Sequence, residues 1–257
     1  MPAVTRQSTN SSSAANRVAK PKLKDPRERR TRKLAHFGRT MVQVCVGQDD
    51  RKEVFSVHDT PLRSHSKFFA NALKGPWKES KERLVKLPED DPELFSIYMH
   101  YIYCGTLAIL AENMEADIKE FCNQFATLAH LYVFAEKIQD TACKNNVIDA
   151  MLASVRVKNK LPPTRIVCII YSGTAGPCSA RKLLVDLCAR WAKESYYKNP
   201  RQDKLPADFL VDVIDKMIEY RGLPRGNAAG FEDGSRYYDT TETMDGDNAN
   251  ENGEGRA

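Results

Sequence analysis

The chain has 257 residues and a formal net charge of +5 at pH 7, with 39 Lys and Arg against 34 Asp and Glu. The charge is unevenly placed: residues 1–40 hold eleven Lys/Arg against two Asp/Glu, and residues 222–257 hold three Arg against eight Asp/Glu. The nearly neutral middle excludes a wholly basic nucleic-acid-binding domain, and no apolar run reaches the ~18 residues of a membrane span.

The two ends combine high charge with few apolar residues, so burial there cannot offset chain entropy. Residues 1–40 are expected to be a disordered basic arm and residues 222–257 a disordered acidic tail. The polar, Ser/Asn-rich start has no apolar stretch of a secretory signal. Seven cysteines (Cys45, Cys104, Cys122, Cys143, Cys168, Cys178, Cys188) show no C-x-x-C spacing. They are expected to be free, several as small buried hydrophobes, in a reducing intracellular compartment, nucleus or cytoplasm.

In chain order, Met41–Val46 and Lys52–His58 read as the two strands of a hairpin, turned at Gly47 to Asp50. Thr60-Pro61 reads as a helix start. Ser66 restarts a helix with Phe68, Phe69 and Leu73 on its apolar side, and Gly75-Pro76 stops it. Leu84–Leu87 is a short strand closed by Pro88. Asp91-Pro92 starts a helix carrying Leu94, Phe95, Tyr98, Tyr101 and Ile102, and Gly105 ends it. Residues 117–136 repeat apolar side chains at steps of three and four, from Ile118 through Phe121, Phe125, Leu128 and Tyr132. Asp140 caps the next helix, with Ile148, Met151, Leu152 and Val155 on one face. Beyond the Leu161-Pro162-Pro163 linker, the β-branched run Arg165–Tyr171 reads as a strand and Ser172–Gly176 as a turn. Residues 181–191 and those after Pro206 read as helices with apolar stripes, Leu183 to Trp191 and Phe209 to Ile218.

The ordered set of motifs over 41–155 resembles the BTB/POZ fold. It comprises Val44-x-Val46-Gly47, Phe55-x-Val57-His58 and Leu62-x-x-x-Ser66-x-Phe68-Phe69. Trp77-Lys78-Glu79, Leu87-Pro88-Glu89-Asp90-Asp91-Pro92 and Phe95 follow. Tyr101-Ile102-Tyr103-Cys104-Gly105 and Leu131-Tyr132-x-x-Ala135-Glu136-Lys137 complete it. Each motif is weak singly; their order and spacing together make the resemblance specific. It implies an α+β domain, a small sheet packed on a helical cluster. Ile166–Tyr171 followed by Ser179-Ala180-Arg181-Lys182-Leu183-Leu184-Val185-Asp186 resembles the C-terminal extension common in fungal BTB proteins, which makes residues 156–221 an α-rich extension, a strand followed by helices. The sequence departs from the family in having Asp59 where Lys or Arg often follows the His, and Lys67 where Pro often precedes the Phe pair.

The resemblance implies a non-enzymatic scaffold that binds protein partners or self-associates as a homodimer. Some such domains recruit a cullin scaffold and act as substrate adaptors for ubiquitin ligases, using an apolar-x-Glu motif in the loop after the Phe-Phe helix. Trp77, Lys78 and Glu79 occupy that place, and an exposed Trp is a natural anchor. The basic arm offers a second reading. Lys20, Lys22, Lys24, Arg27, Arg29, Arg30, Arg32 and Lys33 form a dense cluster suited to nuclear import or to nucleic-acid phosphate. In this alternative the chain is a chromatin- or DNA-associated factor that oligomerises through the BTB region.

Catalytic and cofactor chemistry find little in the sequence. Of the five histidines (His36, His58, His65, His100, His130), His58 and His65 stand seven apart with no cysteine or carboxylate at a familiar zinc spacing around them, and His100 and His130 read as boundary residues of amphipathic helices. No phosphate-binding glycine loop or nucleophile elbow is present. Glu89-Asp90-Asp91 reads as helix capping and dipole compensation, and His58 as a structural strand-end residue.

Overall fold

The computed structural model describes residues 37–110, 118–198, 204–221 and 234–240. Strands β1 (Met41–Val46) and β2 (Glu53–His58) pair antiparallel, with Met41 opposite His58 and Val46 opposite Glu53. Gly47, at a φ of +81°, turns the chain out of β1. A Cβ there would stand 2.5 Å from the Arg51 carbonyl oxygen, so only glycine fits. Strand β3 (Leu84–Leu87) adds parallel to β1, giving the mixed order β2-β1-β3. Val42, Val44 and Val46 of the central strand are fully buried.

Three short helices connect β2 to β3: α1 (Asp59–His65), α2 (Lys67–Ala72) and α3 (Lys78–Glu82). Helix α1 begins at Asp59, so Thr60 lies inside its first turn and is not its cap. Ser66 caps α2 as expected, accepting from the Phe69 amide, and its hydroxyl donates to the Ile138 carbonyl at 2.6 Å. Helix α4 (Pro92–Cys104) starts on the Asp91 cap and ends at Gly105, at a φ of +70°. Helices α5 (Ile118–Lys137) and α6 (Thr141–Lys158) form an antiparallel pair joined at Asp140.

Arg165–Tyr171 is not a strand. It lies inside helix α7 (Thr164–Gly173), which packs against α5. The run is apolar on both alternating faces, a pattern that periodicity cannot assign to strand or helix. Tertiary packing decides, because β propensity is a weak prior. Ile166, Val167, Ile170 and Tyr171 fall on one helical face and are buried. At the end of α7, Gly173 lies so close to α5 that a Cβ would sit 2.5 Å from Val133 Cγ2. Gly173→Ala is therefore expected to destabilise the fold by about 1–3 kcal/mol through overpacking, read as a lower urea midpoint.

Helices α8 (Ser179–Trp191), α9 (Glu194–Tyr197) and α10 (Ala207–Arg221) complete the extension. Arg181 of α8 holds the C-terminus of α7. It donates to the Tyr171 carbonyl at 2.9 Å and the Thr174 hydroxyl at 2.8 Å, with its guanidinium over the Tyr171 ring. A cation there also offsets the helix dipole. One continuous buried cluster runs from Val42 of the sheet to Phe209 and Val213 of α10, so residues 164–221 pack on the same core as the sheet and α1–α6. The expected stripes are only partly covered: Ile118, Trp191, Leu210, Ile214 and Ile218 are exposed.

Residues 234–240 depart from the expectation of a disordered tail over 222–257. Tyr237 is buried and donates to the Asp186 carboxylate at 2.9 Å, while Asp239 pairs with Lys144 at 2.5 Å. The composition of the whole tail hides this short segment, because one buried ring and paired charges suffice to dock it locally. Burial pushes the Asp239 carboxyl upward, but Lys144 and Ser179 outweigh it and hold it below its ordinary value. A depressed carboxyl contributes stability above its unfolded value and loses it as the pH falls through the folded one. Docking of 234–240 is thus expected to weaken as the pH is taken below about 4, seen as a shift of the Asp239 amide resonance toward its free position.

Candidate protein-interaction site

Trp77 is not in a loop with Lys78 and Glu79, as the sequence suggests; it is the N-cap of α3, and the other two form the first turn of that helix. A helix of five residues has little stability of its own, so its neighbours must hold it. The Ser80 hydroxyl donates to the Leu73 carbonyl at the end of α2 at 3.1 Å. Arg83 ends α3 in the left-handed region, at a φ of +53°, and its carbonyl accepts from the Gln43 amide of β1 at 2.8 Å. Its guanidinium pairs with Asp59 of α1 at 3.0 Å, and Arg63 approaches the same carboxylate at 3.5 Å. The turn is therefore clamped to α2, to β1 and to α1.

On that fixed turn the Trp77 side chain stands out, 64% exposed. Lys78 pairs across one turn with Glu82 at 3.8 Å, and both Lys78 and Glu79 are exposed. The arrangement presents an aromatic face beside a carboxylate on a rigid support, with no group poised for proton or phosphoryl transfer. Sequence reading found the three exposed residues but missed the clamp. Asp59 stood out only as a departure from the family, and its partner Arg83 is distant in sequence.

The titratable residues have structural partners. The His58 ring and amide both meet the Tyr103 hydroxyl at 2.9 Å. His65 lies 3.5 Å from Asp140, and His100 meets the Thr106 hydroxyl at 3.2 Å. Burial and the nearby Arg165 push the His130 imidazole below its ordinary value, against a smaller opposing pull from Asp91. In the acidic run, Asp91 accepts from the Glu93 amide at 3.0 Å in the capping role expected of it, while Asp90 pairs with Lys137 of α5 at 2.8 Å. Burial raises the Cys143 thiol well above its usual range and the Cys188 thiol to about 12, so both are held as protonated core residues. None of the seven cysteines forms a disulfide. Among the described residues no group of three His, Cys, Asp or Glu is placed to hold a metal, and no helix is long and apolar enough to cross a membrane. His36 and the basic cluster Lys20, Lys22, Lys24, Arg27, Arg29, Arg30, Arg32 and Lys33 lie outside the described residues.

The three-stranded mixed sheet and the helical cluster around it define the class. Residues 38–152 match the family model of the BTB/POZ domain, and this part of the chain is a BTB/POZ domain. A curated relative, Kelch-like protein 40 of Xenopus laevis, is 29% identical over 104 residues, which cover 40% of this chain and 17% of that protein. The likeness therefore spans about a sixth of the relative's length and concerns one domain of it.

Proposed function

We propose that the chain is a non-enzymatic protein-interaction adaptor and that the head of α3 anchors a cullin-type scaffold, with Trp77 as the buried contact and Glu79 as its polar neighbour. The observation that carries this reading is the exposure of Trp77 on a clamped turn. Leaving an indole in water forgoes about 2 kcal/mol or more of available burial. The turn that carries it is already ordered, so binding there incurs little further loss of entropy. The BTB/POZ match supports an interaction role, and the Trp77-Lys78-Glu79 spacing supports the choice of scaffold.

Affinity capture of the tagged full chain from its own cell extract tests this, with wild type beside Trp77→Ala/Glu79→Ala and mass spectrometric readout. A cullin recovered with the wild type alone is the expected result. A cullin recovered equally with both would move the contact away from α3, and none with either would remove the ligase reading.

A further inference from the structure

Residues 234–240 cross α6 and α8 as a short peptide, and side chains of those helices bind it almost residue by residue. Gly234 is buried where a Cβ would collide with the Asp149 carboxylate. The Arg236 guanidinium lies 3.1 Å from Asp186, which also accepts from the Tyr237 hydroxyl. The Tyr238 hydroxyl donates to Asp149 at 2.5 Å. Asn145 binds the main chain of Asp239 on both sides: its amide nitrogen donates to the Asp239 carbonyl at 3.1 Å, and its oxygen accepts from the Asp239 amide at 3.0 Å. The Asp239 carboxylate meets Lys144 and the Ser179 hydroxyl, at 2.5 and 2.6 Å.

A side-chain amide that pairs both main-chain groups of one residue recognises extended peptide whatever its side chain. Main-chain bonds of this kind supply affinity in peptide recognition, and flanking pockets supply specificity. Here the flanking groups select a cation and phenols through Asp186 and Asp149, and an anion through Lys144. Asp186 is only 4% exposed and also accepts from Tyr220 of α10, so the receptor side is rigidly built. The docked segment is held mainly by polar contacts and buries little apolar surface. Tyr237 is its one buried apolar side chain, set against the ordering of the whole stretch, which places it among the elements that open first.

We propose that this face of α6 and α8 is a peptide-recognition groove for partner segments of Arg-Tyr-Tyr-Asp chemistry, and that residues 234–240 fill it in cis as a displaceable ligand. Only residues 222–233 separate the segment from α10. A tether of this length gives an effective concentration on the order of millimolar. An incoming peptide must outcompete it, so the cis segment sets a threshold for binding.

The test uses a labelled peptide of sequence Gly-Ser-Arg-Tyr-Tyr-Asp-Thr titrated into three full-length proteins: wild type, Tyr237→Ala/Asp239→Ala, and that double variant with Asn145→Ala added. The double variant is expected to bind at least about tenfold more tightly than wild type, through loss of the tethered competitor, and Asn145→Ala is expected to abolish the gain. Equal affinity for wild type and double variant, or no binding to a double variant of native circular dichroism, overturns the proposal. Hydrogen exchange on the unmodified chain gives an independent readout. Excess peptide should speed exchange across 234–240 while α6 and α8 stay protected, and unchanged exchange at saturating peptide also overturns it. Wild-type dimers that dissociate on Tyr237→Ala would assign the groove to a second copy and overturn the cis arrangement.

Discussion

Asp140→Ala is expected to lower the stability of the chain by about 3–5 kcal/mol, as removal of one partner from a buried charged network does. Asp140 is fully buried at the junction of α5 and α6. One carboxylate oxygen accepts from the Cys143 amide at 2.8 Å and caps α6; the other accepts from the Tyr98 hydroxyl at 3.0 Å and lies 3.5 Å from His65. The substitution deletes the cap, leaves the buried Tyr98 hydroxyl without this acceptor, and loosens α4 and α1 from the helical pair. Burial and the Asp140 carboxylate both push the Tyr98 phenol far above its usual value, so it stays a donor throughout the accessible pH range. Asp140→Asn keeps an acceptor toward the Cys143 amide and is expected to cost less, about 1–2 kcal/mol. Urea unfolding measures both, with a lower midpoint at unchanged slope for each. Equal stability of wild type and Asp140→Ala would show that the junction does not hold the fold.

Trp77→Ala is expected to do the reverse. Stability should stay within about 0.5 kcal/mol of wild type, because the Trp77 side chain is exposed and makes no capping hydrogen bond at the head of α3. Partner affinity should fall by about 2 kcal/mol or more, roughly thirtyfold, as truncation of an aromatic hot spot does. Paired measurement of melting and binding separates the two effects. A variant that loses stability and binding together would mean that Trp77 supports the fold and not the contact. Ser80→Ala makes the complementary case: it leaves the aromatic in place but removes the bond from α3 to Leu73, so binding should weaken while Trp77 is still present.

The hairpin, the Ser66 and Asp91 caps, the Gly105 stop and the α5 stripe could all be read from the sequence because each is a local signal. A cap needs one side chain and the three residues after it, and a stripe needs only its own helix. Helix α7 is not legible in the sequence because Ile166 to Tyr171 is apolar all round, and only the surface offered by α5 distinguishes strand from helix there. The short helix α3 is not legible locally because Ser80 and Arg83 hold it to partners on α2, β1 and α1. Tyr237 and Asp239 were lost in the average composition of the tail, since their partners Asp186 and Lys144 are far away in sequence. Trp77, by contrast, is marked by the resemblance of Trp77-Lys78-Glu79 to the family's apolar-x-Glu motif, whereas its place at the head of a helix is visible only in the structure.

The head of α3 is proposed as the partner-binding anchor of this BTB/POZ domain. Calorimetric titration of the purified full chain with a purified cullin from the same cells, wild type beside Trp77→Ala, tests it most directly. Saturable one-to-one binding by the wild type that weakens at least about thirtyfold in the variant, at equal melting temperature, is the predicted result. Equal affinity for both proteins, or no heat with either, would contradict it.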